Sequence, residues 1–491
     1  MLYNERTILM AIYNPKSSVA EEFINNEEIL ETLAYAEENK NNIELIDALL
    51  EKARPKKVGN EVRCSGLTHR EASVLLACEI PEKIEEIYKI AEEIKLAFYG
   101  NRIVMFAPLY LSNYCVNGCV YCPYHYCNKH IARKKLSQEE IEKEVIALQD
   151  MGHKRLAIEA GEDPQNNPIE YILDSIKTIY GIHHKNGAIR RVNVNIAATT
   201  VENYRKLKEA EIGTYILFQE TYHKESYLAL HPTGPKHNYE YHTEAMDRAM
   251  EGGIDDVGLG VLFGLELYKY EFAGLLMHAE HLESKFGVGP HTISVPRLKR
   301  ADDIDPDQFD NGIDDETFLK IIACIRLAVP YTGMIISTRE TQEVREKALK
   351  VGISQISGAS RTSVGGYTEE ERPHDSEQFD VSDQRTLDEV VKWLMEMDHL
   401  PSFCTACYCE GRTGDRFMSL CKSGQILNCC HPNALMTLTE FLMDYATEET
   451  KKVGFEMIER EIEKVPNEKA REIAKKNIED IKTSNRRNFR F

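Results

Sequence analysis

The sequence predicts an α/β protein built on a (β/α)8 barrel of the TIM type, and three observations predict it. From Arg102 onward, eight short β-rich apolar runs succeed one another over about 260 residues, most trailed by a helical pattern, as in an eight-unit barrel. The runs read apolar on both faces, as parallel strands buried between a lumen and a ring of helices do. The stretches before and after them change rhythm, which sets a helical N-terminal extension at 1–98 and a cysteine-rich, mostly helical C-terminal domain at 371–491 apart from a barrel at 99–370. An open doubly wound sheet satisfies the same alternation, because sequence does not show closure.

In the extension, Glu27 to Ala53 and Pro81 to Phe98 carry apolar residues at helical spacing, and Thr68 with Glu71 three residues on forms a capping-box pattern. The eight candidate strands are Ile103–Leu109, Arg155–Ala160, Arg191–Ala197, Thr214–Gln219, Asp256–Phe263, Thr292–Pro296, Gly333–Thr338 and Ile353–Ser357. Helices are expected at Gln138–Met151 (Ser137 as N-cap, Glu140 completing the box), Tyr239–Gly252, Tyr268–Phe286 and Asp315–Val329. The charged stretch from Glu369 to Ser382, with Pro373, reads as a linker. Beyond it, helices are expected at Asn433–Tyr445, Glu448–Lys464 and Glu468–Thr483.

The chain has 491 residues, 42% hydrophobic and 29% charged, enough for a large barrel with appendages. Its net charge of -20 argues against a nucleic-acid surface, which needs clustered Lys and Arg. No run of eighteen apolar residues suggests a membrane span, and the N-terminus lacks a signal-peptide layout, so a cytoplasmic protein is expected. Thirteen cysteines in such a protein are not a disulfide framework. Their bunching points to metal.

Cys115, Cys119 and Cys122 form a Cys-x3-Cys-x2-Cys loop directly after the first strand, where active-site loops of such barrels gather. Cys404, Cys407 and Cys430 form a second, Cys-x2-Cys-x22-Cys set. Three thiolates are one short of a closed structural site, whereas an iron–sulfur cubane held by three keeps one iron open. Zinc remains the alternative at each place. In the first loop His125 or Cys127 would be the fourth ligand. In the second, four of Cys404, Cys407, Cys409, Cys421, Cys429 and Cys430 would serve, and Cys429 competes with Cys430 even for a cluster. Glycines and charges at Gly411 to Phe417 suggest a loop over a polar or anionic ligand.

The first cysteine motif after a first barrel strand resembles the radical S-adenosylmethionine (SAM) superfamily. That resemblance implies a 4Fe-4S cluster whose open iron chelates SAM and whose electron breaks the sulfonium bond, yielding a 5′-deoxyadenosyl radical. It also assigns cofactor contacts. Tyr121 would pack on the adenine. Ala160, Gly161 and Glu162 look like the Gly-Gly-Glu element that receives the SAM ammonium, and Gly258 and Gly260 lie where the adenine is met, although strand packing explains glycines there equally well. Both cysteine motifs together, with Phe218 to Tyr222, Pro290 to Arg297 and Gly411 to Phe417, resemble the HydG family of radical SAM maturases of FeFe-hydrogenase over nearly the whole chain.

The family resemblance implies a carbon–carbon lyase that splits L-tyrosine into p-cresol and dehydroglycine. Dehydroglycine becomes CO and cyanide, captured as an Fe(CO)2(CN) precursor of the hydrogenase H-cluster at a second 4Fe-4S cluster that can carry an extra iron. Partners would be other hydrogenase maturation proteins and an electron donor, with no nucleic acid and no membrane. Tyrosine's carboxylate needs a fixed cation, for which Arg339 is the first choice, with Ser337 sharing the load. A rim salt bridge from Arg339 to Glu340 or Glu369 is the alternative. Gln219 and Glu220 are expected at the same mouth, contacting SAM ribose or substrate. An extra iron would want an imidazole at the far mouth, from His281 (with His278 behind it) or from His291. The rival readings are the tyrosine lyase of thiazole biosynthesis and a non-enzymatic iron–sulfur scaffold.

Overall fold

The computed structural model describes residues 12–59, 61–369, 377–411, 414–423, 426–465 and 467–491. Eight parallel strands lie side by side in chain order: Arg102–Ser112, Arg155–Ala160, Arg191–Asn195, Tyr215–Ile216, Val257–Gly260, Thr292–Ser294, Gly333–Ile336 and Gln355–Ser357. The eighth pairs back onto the first, with Gln355 opposite Val104 and Ser357 opposite Phe106, so the sheet is a closed barrel and the open-sheet alternative falls. Leu156, Ile158, Val192 and Val194 face the outer helices and are fully buried. The alternate positions Ala157, Glu159 and Asn195 face the lumen. The fourth strand is shorter than the apolar run because its ladder thins, yet Leu217 and Gln219 still donate to Gly258 and Gly260 carbonyls. Glu220, at φ 69°, then turns the chain out of the sheet.

Helices flank the barrel where the caps dictate. Ser137 accepts from the Glu140 amide and Glu140 returns the bond, opening Gln138–Met151; Gly152, at φ 101°, closes it. A Cβ on Gly152 would sit 2.8 Å from the Phe441 ring, so this glycine also lets the C-terminal region dock. Thr68 and Glu71 form the expected box at His69–Ala77. The run from Glu27 to Ala53 is two helices, Asn26–Asn39 and Ile43–Ala53, because the Asn42 side chain accepts from the Leu45 amide and starts a new helix there. A small unanticipated hairpin, Lys56–Val58 with Glu61–Arg63, follows. The extension packs on the outer helices Tyr268–Phe286 and Asp315–Ala328.

After the barrel, a ninth strand, Leu400–Ser402, runs parallel to the first residues of the first strand, with Leu400 opposite Arg102. This fixes the C-terminal region at the lower end of the barrel, where the strands begin. Arg155, opening the second strand, donates to the Cys404 carbonyl at 3.0 Å, and the Gly414 amide donates to Asp256 before the fifth strand. Helices Leu427–Asp444, Glu448–Ile462 and Glu468–Thr483 pack behind it. The expected linker is a correction. Residues 370–376 lie outside the described residues, but 377–383 fold back over the upper mouth. There Gln378 accepts from the Tyr110 hydroxyl at 2.8 Å, and Asp383 pairs with the buried Arg345. Among the described residues no helix is long and apolar enough to cross a membrane.

Candidate functional site

The upper mouth, at the C-terminal strand ends, opens into a cavity lined by the cysteine loop and by residues of most of the strands. Cys115, Cys119 and Cys122 all reach it. The loop is held against the second strand end by backbone bonds from Val116 N to Glu162 O (2.8 Å) and Gly161 N to Ser112 O (3.0 Å). A Cβ on Gly161 would lie 2.4 Å from the Tyr114 carbonyl, so only glycine permits that approach. Burial pushes the Cys119 thiol up to about 12 and raises Cys115 and Cys122 as well, while the half-buried Lys236 ammonium pulls all three down. Three such thiols ionise together only if a cation takes up the charge, which suits an iron–sulfur cluster. His125 is turned toward Asp303 and Cys127 is exposed, so neither is placed as the fourth ligand that a closed zinc site needs. A cubane asks each thiolate for a different iron.

Ala160, Gly161 and Glu162 line the cavity beside the loop. Glu162 accepts from Asn117 Nδ2 at 2.6 Å, and that same amide group lies 3.8 Å from Cys115 Sγ. Tyr121 also lines it, its hydroxyl held 2.7 Å from His231 Nε2. Two glycines assigned to the adenine are corrected. Gly258 and Gly260 are absent from the lining. A Cβ on Gly258 would meet Thr292 Oγ1 at 2.5 Å and one on Gly260 the Phe218 ring at 2.4 Å, so both serve packing inside the barrel wall.

Arg339 and Ser337 line the opposite side of the same cavity. Glu340 is taken by Arg297 and Lys299, and Glu369 by Lys134. Arg339 makes no ion pair among the described residues; its guanidinium lies 3.7 Å over the Phe379 ring. A half-buried cation with no ion-pair partner is poised for an anionic ligand. Glu220 is at the mouth, paired with Lys236 at 2.8 Å. Gln219 is a correction: Phe218 and Glu220 face the cavity, so Gln219 between them points into the wall and donates to Thr243 at 2.9 Å. Sequence reasoning passed over Lys236 and Glu159. Glu159 faces the lumen beside Asn195, and burial pushes its carboxyl up to about 8.

At the lower mouth Cys404 sits on the loop after the ninth strand, Cys407 on the short helix Ala406–Cys409, and Cys430 in Leu427–Asp444. Burial, and then the neighbouring Cys430, push the Cys404 thiol up to about 11. Tyr408 lies between them and the barrel, with Arg191 3.5 Å and Arg155 5.9 Å from its ring and Thr214 Oγ1 3.3 Å from its hydroxyl. His291, entering the sixth strand, has its ring 6.4 Å from Tyr408 and its Nδ1 3.4 Å from Asp256. His281 is a correction. It stacks on Phe23 at 3.8 Å, with Nδ1 2.7 Å from the Pro15 carbonyl of the N-terminal extension and Nε2 2.7 Å from Asp247 of the barrel helix Ala245–Glu251, so both nitrogens are committed. His278 beside it is hydrogen-bonded to Tyr222. Arg412 and Thr413, and the side chains of Cys409, Cys421, Asp415 and Phe417, lie outside the described residues.

Residues 109–273 match the model of the Radical SAM superfamily, and residues 294–399 that of the Biotin and Thiamin Synthesis associated domain. A crystal structure of HydG, a maturase of the [FeFe]-hydrogenase, is 55% identical with a TM-score of 0.90, covering 96% of this chain and 100% of that one. HydG from Carboxydothermus hydrogenoformans is 38% identical with a TM-score of 0.80, covering 94% and 100%. The 2-iminoacetate synthase of Escherichia coli is 28% identical over 339 residues, 69% of this chain and 87% of that protein.

Proposed function

Because the chain belongs to the HydG family of radical SAM hydrogenase maturases, we propose that it is a carbon–carbon lyase that cleaves L-tyrosine into p-cresol and dehydroglycine. The latter is converted to CO and cyanide for an Fe(CO)2(CN) precursor. The observation that carries this reading is the unpaired Arg339 guanidinium lining the same cavity as the cysteine loop. When bound, a 4Fe-4S cluster and SAM supply a one-electron bond cleavage that delivers a primary carbon radical. The protein supplies placement. Cys115, Cys119 and Cys122 hold the cluster, Glu162 receives the SAM amine, and Gly161 lets the backbone close on it. Arg339 and Ser337 fix the tyrosine carboxylate so that the amine faces the radical centre. Gln378 and Phe379 of the segment 377–383 line the cavity and narrow its mouth.

At the lower mouth Cys404, Cys407 and Cys430 would hold the second cluster, and His291 would be the imidazole for an extra iron. Full coverage of two HydG structures, against 69% of this chain by the 2-iminoacetate synthase, supports the maturase reading over the thiazole-type lyase. Headspace CO captured by deoxyhaemoglobin tests it. Wild type should yield both p-cresol and CO, and the C404A/C407A variant p-cresol alone. A fully reconstituted wild type that makes p-cresol but no CO would be a plain tyrosine lyase. The expected setting is cytoplasmic, with the other maturases and an electron donor as partners.

A further inference from the structure

We propose that Glu159 is the residue that receives the α-ammonium group of the amino-acid substrate and takes a proton from it. The inference rests on the tyrosine reading of the upper cavity and adds a second half to it, since a zwitterion needs an anion beside the cation that binds its carboxylate. Three carboxylates line the cavity among the described residues: Glu159, Glu162 and Glu220. Glu220 is held by Lys236, and Glu162 sits on Asn117 beside Cys115, at the cofactor end. Glu159 has no ion-pair partner within contact distance among the described residues, and its one side-chain partner is Asn195. Arg339, Tyr110 and Tyr124 face it closely enough to be felt electrostatically. A cation and an anion that share a cavity without closing on each other leave room for the carboxylate and ammonium of one α-amino acid. Strand alternation fixes the direction, because Ala157 and Glu159 point inward while Leu156 and Ile158 are buried under the helices.

The step balances as a proton transfer. One ammonium N–H bond breaks heterolytically and one carboxyl O–H bond forms, so a charged pair becomes a neutral amine and a neutral acid with no change in electron count. The remaining N–H bonds then belong to a neutral amine, from which hydrogen-atom removal does not leave a radical cation in a dry lumen. Burial helps: it pushes a carboxyl up and an ammonium down, so the proton affinities of the two groups approach each other.

Calorimetric titration of the reconstituted, SAM-loaded enzyme with L-tyrosine and with 3-(4-hydroxyphenyl)propanoate, which lacks the amine, tests this. Wild type should prefer tyrosine by about 10- to 100-fold, as expected for a hydrogen bond to a charged group. Glu159→Gln should bind both alike, and Arg339→Lys should weaken both. Buffers of different ionisation enthalpy add a proton count. Near neutral pH, wild type should release close to one proton per tyrosine bound, because the free carboxyl carries a proton that the bound zwitterion displaces. Glu159→Gln should release none, and Glu159→Asp should restore release, which keeps the test open if the glutamine variant is unstable. Wild-type tyrosine binding without proton release, or an undiminished preference in Glu159→Gln, would overturn the proposal while leaving Arg339-dependent tyrosine binding intact. If wild type binds no tyrosine at all, the proposal falls together with the substrate reading.

Discussion

The two mouths of the barrel carry three cysteines each, but they are built differently. At the upper mouth the three come from one loop of eight residues, 115–122, and only the local turn must form for them to converge. At the lower mouth Cys404 and Cys407 precede Cys430 by more than twenty residues, and the long helix Leu427–Asp444 must dock before the set is complete. The upper cavity keeps an uncommitted cation, Arg339, for a ligand. The lower one stacks Arg191 on Tyr408 and ties Arg155 to the Cys404 carbonyl, so its cations also brace the cysteine segment. One mouth leaves an open cavity, and the C-terminal region packs against the other. Chemistry at the upper mouth should therefore survive loss of the lower set, and the reverse should not hold.

The largest expected effect is at the upper loop. Cys119→Ala should abolish 5′-deoxyadenosine formation, read by chromatography, and take p-cresol and CO with it. Residual CO would break the dependence of the lower mouth on the upper. Arg339→Lys comes next. A point charge replaces a planar fork, and tyrosine turnover (kcat/KM for p-cresol) should fall about 10- to 100-fold while SAM cleavage continues without product. A salt-bridging rim arginine would leave both unchanged.

Gly161→Ala should be milder. Its methyl would press on the Tyr114 carbonyl and lift the loop from the strand end, costing about 1–3 kcal/mol by overpacking. Calorimetric SAM affinity should drop more than the melting temperature does, because the strain is confined to the upper mouth.

A last effect, on stability rather than on chemistry, concerns the scaffold that both mouths share. His153, His278 and His399 are buried neutral, and desolvation pushes each down to about 3. Each binds a proton in the unfolded chain near 6.5 but resists it when folded. Stability is therefore intact above pH 6.5 and lost as pH falls from there toward 3, by at most about 1.4 kcal/mol per pH unit for each histidine. Melting temperature against pH checks the sign; a rise on acidification would contradict it.

What was legible in the sequence follows the same contrast. The barrel was readable from its alternation, and the upper cysteines from their spacing, because both signals are local. Arg339 was readable as a cation ending a strand. Gln219 and Glu159 were misplaced or missed for one reason: strand parity, applied residue by residue, would have turned Gln219 outward and Glu159 inward. Lys236 carries no such signal. Its position depends on Gly234, where a Cβ would lie 2.3 Å from Asn117 Oδ1, and on the bond from the Lys236 amide to that oxygen, a contact across more than a hundred residues. His281 failed because the end of a helix locates a residue along the barrel but not around it, and its face turned toward Phe23 of the extension. The glycines Gly258 and Gly260 carried a cofactor meaning by family position, yet the space they leave is filled by Thr292 and Phe218.

EPR with iron counting on anaerobically reconstituted protein, before and after SAM, bears most directly on the division between the mouths. Two distinguishable cubane signals are expected, of which only the one lost in Cys119→Ala shifts with SAM. A single cluster, a preparation holding zinc at Cys404, Cys407 and Cys430, or a SAM-induced shift in both signals would contradict it.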